Sequence, residues 1–166
     1  MDKNSENWEY GISEELALSS DKKSPVLIGE NEFVYRITGL NWGNIPNTWS
    51  YKEATSVAVD SEDNVFVFNR GDIPMIVFNP KGDVIDTWGE GIFSSPHGIT
   101  IDSNDDIFCV DVGDHSVRKF SKTGDLIFEI GTPGISSEPM SGVPFAKPTH
   151  VAIDQNTNEL YVSDGH

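Results

Sequence analysis

Four side chains in this sequence are of types that can do chemistry together. They are the guanidinium of Arg70 in NRGD and the imidazoles of His97 in PHGITID, His150 in PTHVAID and His166 after YVSDG. Imidazole exchanges a proton near neutral pH and ligates transition metals, while guanidinium grips carboxylates with a planar fork. On residue type alone, Arg70 either pairs with a neighbouring carboxylate or meets a substrate. His97 stands out because it breaks a pattern. It precedes an apolar alternation, FSSPHGITID, whose counterparts YKEATSVAVD and AKPTHVAID carry Thr55 and Thr149 at that point. Repetition argues for structure, and departure from it argues for function. His150 aligns with Gly98, one position out of the His97 register, and His115 in GDHSVRKF is expected near the opposite turn. Asp60, Asp102 and Asp154 recur in every unit and read as turn residues.

The elements that position these residues follow from the repeat. Val57 and Ile99, Asp60 and Asp102, Phe66 and Phe108, Phe78 and Phe120, Gly82 and Gly124, and Gly89 and Gly131 are all separated by 42 positions. A third copy begins at Val151, 52 positions after Ile99, because the connection TPGISSEPMSGVPFAK is ten residues longer. Each full unit offers four short strands, such as SVAVD, DNVFVFN, MIVFN and DVIDTW, parted by turn-forming SED, RGDIP and PKG. Four antiparallel strands in about 42 residues are the signature of a propeller blade. NVFVF and DIFCV are apolar at both alternating sets of positions because a blade is covered on both faces.

The expected fold is therefore all-β, an incomplete propeller ring of about two and a half blades with a leading closure strand, FVYRIT. Residues 1–30 are polar and acidic and read as a flexible arm. Residues 31–166 form the partial propeller, with units at about 54–89, 95–131 and 147–166. Numbering strands outward from the axis, the start of the first strand, the end of the second and the connection between blades share one face. Arg70, His97, His150, His166 and the long connection around Met140 all fall there.

Composition narrows the function. Twenty-seven Asp and Glu against 11 Lys and Arg give a formal charge of −16 in 166 residues, which repels nucleic-acid backbones and anionic membrane surfaces. Nucleic acid and membrane are thus not expected partners. The N-terminal stretch lacks a basic segment and an apolar core, and no apolar run approaches about 20 residues, so a cytoplasmic protein is expected. Cys109, in DDIFCVD, reads as core packing. There is no GxSxG, P-loop, CxxC or HExxH.

The segments NRGD and PHG, set in units AxSVAVDSEDNVFVFNRGD, PHGITIDSNDDIFCVDVGDHSVRKF and PTHVAIDQNTNELYVSDG, resemble NHL-type six-bladed propellers, in particular peptidyl-α-hydroxyglycine α-amidating lyases and their bacterial relatives. The likeness runs from about Phe33 to His166. It implies zinc and calcium as cofactors: His97 as a zinc ligand, and the main-chain carbonyls of Val57 and Ile99 facing calcium. It also implies catalytic roles for Arg70 and for His166, which stands where the family has tyrosine. The implied reaction splits a peptidyl-α-hydroxyglycine into peptide amide and glyoxylate, and the chain by itself, lacking further ligands, is expected to be inactive. The competing expectation is a non-catalytic NHL propeller that binds peptides or proteins. A sugar-lactone hydrolase of similar shape would need an acidic metal cage, and none is legible. Open blade faces suggest self-association as a further expectation.

Overall fold

The computed structural model describes residues 26–37, 42–49 and 51–165. Among them are twelve strands and no helix. No helix among the described residues is long and apolar enough to cross a membrane. The chain divides into two compact units, residues 1–42 and 43–166.

The first unit contains a hairpin, β1 (Val26–Ile28) paired antiparallel with β2 (Tyr35–Ile37). The strand expected to act as a lone leading closure strand thus has a partner that precedes it. Gly29 takes φ 98° and Asn31 φ 56°, left-handed values that these two residue types tolerate best. A Cβ at position 29 would lie 2.0 Å from the Phe33 carbonyl oxygen, so only glycine fits.

In the second unit the 42-residue repeat becomes two four-stranded antiparallel sheets. The first has order β3 (Ala54–Val59), β4 (Val65–Asn69), β5 (Met75–Phe78), β6 (Val84–Trp88). The second has order β7 (Pro96–Ile101), β8 (Ile107–Asp111), β9 (Ser116–Phe120), β10 (Leu126–Ile130). A two-stranded third sheet pairs β11 (Pro148–Ile153) with β12 (Leu160–Asp164). The first strands β3, β7 and β11 lie side by side, as the innermost strands of successive blades do. This is a partial propeller whose ring is not closed.

Packing explains the doubly apolar second strands. Phe66 and Phe68 of β4 join Met75, Val77, Ile99, Ile107, Cys109 and Phe120 in a core between the first two blades. The intervening Val67 points the other way, with Ile76 and Phe78, onto Ile45 and Trp49 of the segment leading into the blade. Phe108, Val110 and Val117 pack with Val151 between the second and third blades. Phe93 wedges edge-on against Phe68 at 4.8 Å and also touches Trp88 and Phe120. Burying each such aromatic contributes roughly 1.5–3 kcal/mol. The Cys109 thiol lies wholly within this core, and burial pushes its pKa well up, as an inert packing cysteine requires.

The recurring aspartates close the turns between first and second strands. Asp60 Oδ1 accepts from the N–H groups of Glu62 and Asn64, Asp102 Oδ1 from those of Asn104 and Asp106, and Asp154 Oδ1 from that of Asn156.

Candidate functional site

The register fixes which groups share an end. Pro96 pairs with Asp111, which pairs with Ser116, so the start of β7, the end of β8 and the turn leading into β9 lie together. His115, next to Ser116, is therefore at the same end as His97, not at the opposite turn. The turn after β8 returns to the end where β7 starts because β8 runs antiparallel to β7.

Arg70 follows β4 at this end of the first blade. Its N–H donates to the Glu53 carbonyl at 3.0 Å, and its Nη1 meets Glu53 Oε2 at 2.6 Å. Its Nε donates to the Pro96 carbonyl at 3.0 Å, across the boundary between the first two blades. Arg70 thus pairs with a neighbouring carboxylate and also leans on the residue beside His97. Nη2 makes no hydrogen bond among the described residues, and the side chain keeps 32% exposure.

His97 sits in an irregularity where the β7–β8 register shifts between Pro96 and Gly98. Its Nδ1 lies 2.9 Å from the Thr149 carbonyl of the third blade. A carbonyl only accepts, so Nδ1 carries the proton and Nε2 is the basic nitrogen of the neutral ring. Gly98 allows this approach, because a Cβ there would lie 2.5 Å from the Thr149 carbonyl oxygen and 2.8 Å from His150 Nδ1. His150, although out of register, thereby stands over Gly98 at the same end. His166 lies outside the described residues.

Ile99 is buried against the first blade, whereas Val57, its counterpart 42 positions earlier, is 63% exposed. Both lie on innermost strands, as expected. Their two carbonyls fall short of the six to eight oxygens that calcium takes. No group of three His, Cys, Asp or Glu side chains that could hold a metal occurs among the described residues. A catalytic zinc needs about three protein ligands, so the residues described here do not fit a zinc site.

The repeat places Asn69 and Asp111 in register, 42 positions apart, but by itself gives no role to the carboxylates that shape this end. Asp111, fully buried at the end of β8, accepts from the N–H groups of Ser94, Ser95, Gly113 and Asp114. Asp164, at the end of β12, accepts from those of Ala146 and Lys147. Each clamps the connection that leads into its own blade's first strand. Asn69 holds the equivalent place in the first blade, with its Nδ2 on the Ile73 carbonyl and its Oδ1 accepting from the Gly71 N–H. That register is the signal the sequence offers, and the pairings of Ala54 with Asn69, Pro96 with Asp111 and Pro148 with Asp164 show what it positions.

Residues 93–120, which span the first three strands of the second blade, match the NHL repeat. The fold is a partial propeller, and one stretch of it matches that repeat. Solved propellers share its shape. A streptogramin B lyase is 17% identical over 79% of this chain, with a TM-score of 0.53. Virginiamycin B lyase from Staphylococcus aureus is 14% identical over 67%, with a TM-score of 0.51. A gluconolactonase from Xanthomonas campestris is 15% identical over 82%, with a TM-score of 0.53. Identities this low show the fold alone. This chain spans 38%, 34% and 44% of those three chains. No curated sequence matches it.

Proposed function

We propose that this chain builds part of the central face of an NHL propeller acting on peptidyl-α-hydroxyglycine, and that its own contribution is recognition of the substrate's terminal carboxylate. The observation that carries this reading is the hydrogen bond from Arg70 Nε to the Pro96 carbonyl, which holds a guanidinium beside the one first-strand start where histidine replaces threonine. Arg70 supplies the charge and donors for the carboxylate, and His97, with its proton on Nδ1, offers Nε2 to the substrate hydroxyl. No bond-breaking step is assigned to zinc, because the described residues do not make a zinc site.

The same placement of Arg70 and His97 also suits a second reading, a non-catalytic peptide-binding module. The two separate cleanly. A synthetic peptide ending in α-hydroxyglycine and its C-terminal amide are titrated against the protein, and glyoxylate is measured beside binding. The proposal expects the free carboxylate to bind at least about tenfold more tightly, and Arg70→Ala to abolish the difference. Binding with no glyoxylate from any assembly containing this chain selects the module. Equal binding of acid and amide overturns the proposal.

A further inference from the structure

We infer that His115 is a positioning residue for His97, acting through the connection between the second and third blades. His115 departs from the repeat as His97 does, since Ile73 stands 42 positions earlier. It also holds φ 65°, a left-handed value that a histidine adopts only at some cost. Its Nδ1 meets the carbonyl oxygen of Ala146, which also accepts from Ser136 Oγ at 3.3 Å. The N–H of the same residue is held by Asp164 Oδ2 at 2.9 Å, and that of Lys147 by Asp164 Oδ1 at 2.6 Å. Ala146 is thus gripped from both sides of its backbone, and it is itself buried. Pro148 follows with φ fixed by its ring, and then Thr149, whose carbonyl takes the proton of His97 Nδ1. The two blades approach closely here, since a Cβ at position 98 would lie 2.5 Å from the Thr149 carbonyl oxygen, and a shift of Ala146 carried along the chain displaces that carbonyl from His97. The imidazole then loses the acceptor that favours the proton on Nδ1.

The inference rests on the reading of His97 as the working imidazole of the site, but its test does not. The nitrogen NMR shifts of the His97 ring report which nitrogen carries the proton, with or without a substrate. Asparagine places its Nδ2 where histidine has Nδ1 and tolerates a left-handed φ, so His115→Asn keeps the donor. His115→Asp has the same shape and backbone tolerance but presents an acceptor to the Ala146 carbonyl. His115→Gly removes the side chain and relieves the backbone. The expected result is wild-type His97 tautomer in His115→Asn and a mixture of tautomers in His115→Asp and His115→Gly. Binding of the hydroxyglycine peptide falls about fivefold in the latter two, the size of one lost hydrogen bond. If His115→Asp does not fold, His115→Gly against His115→Asn decides. An unchanged His97 tautomer in His115→Gly overturns the inference, as does failure of His115→Asn to restore it. Intact coupling together with equal binding of acid and amide peptides would instead refute the proposed function and leave the positioning role standing.

Discussion

At the scale of single residues, the site is a compromise at Arg70. Its Nε is committed to Pro96 and its Nη1 to Glu53, so the planar fork cannot close on a carboxylate with both of its sides while Glu53 stays in place. Glu53 is more than half exposed, and such a pair is worth at most about 1 kcal/mol, so on the proposed reading a ligand carboxylate displaces it. Glu53→Gln removes the competing charge and is expected to tighten binding of the acid peptide by up to about fivefold, more at low salt than at high. Arg70→Lys keeps the charge but cannot hold Pro96 and a ligand together, and it is expected to weaken binding about tenfold. Titration of both variants at two salt concentrations checks this; an unchanged affinity in Glu53→Gln would show that the carboxylate does not reach Arg70. The sequence disclosed His97 and Arg70 because each stands at a recognisable place in the repeat. It could not disclose that Thr149 offers His97 a main-chain carbonyl, because backbone partners leave no mark on residue identity.

At the scale of elements, the turns carry the pH dependence. Burial raises the Asp102 pKa, but the Lys119 ammonium and the N–H groups of Asn104 and Asp106 outweigh it and hold the carboxyl below its ordinary value of 3.8. The Ser61 hydroxyl and N–H do the same for Asp105, and the Asn156 N–H for Asp154. The contact from Ser61 to Asp105, at 2.6 and 2.9 Å, joins the turns of the first two blades. Carboxyls with lowered folded pKa values add stability that is complete above the ordinary value and disappears as pH falls through the folded values. The denaturation midpoint should therefore hold steady down to about pH 4 and drop below it. Lys119, raised by Asp102 and Asp106 against the opposing effect of burial, contributes below its ordinary 10.5 and loses that contribution as pH rises through its folded value. Asp102→Asn should flatten the acid limb, and an acid limb as steep as the wild type's would contradict the assignment. These turns were legible, since an aspartate at the same place in three units has a structural reason. The hairpin β1–β2 was not, because Val26–Ile28 is three apolar residues in a polar stretch and shows its role only when paired.

At the scale of the whole molecule, the same sequence position has different weight in different blades, because each blade is buried by its neighbours and not by itself. Val57 and Ile99 occupy equivalent places on innermost strands, yet Val57 is 63% exposed and Ile99 only 3%. The apolar face of β4 and β5 that looks away from the second blade is covered instead by Ile45 and Trp49. That cover stops short of β3, where Val59 is also 55% exposed. The 42-residue repeat predicted the strands of both blades equally well, but it carries no information about which blade has a neighbour on which side. Two matched substitutions in the 166-residue chain turn this into a measurement. Ile99→Ala opens a cavity among Phe66, Phe68 and Cys109 and is expected to cost about 2–5 kcal/mol. Val57→Ala removes methyl groups already in water and is expected to cost under about 0.5 kcal/mol. Equal losses in urea denaturation would mean that the β3 face is covered in solution, by a second copy or by another part of the propeller. The Val57 cost should then fall with dilution if that cover is a second copy, and stay constant if it belongs to the same chain.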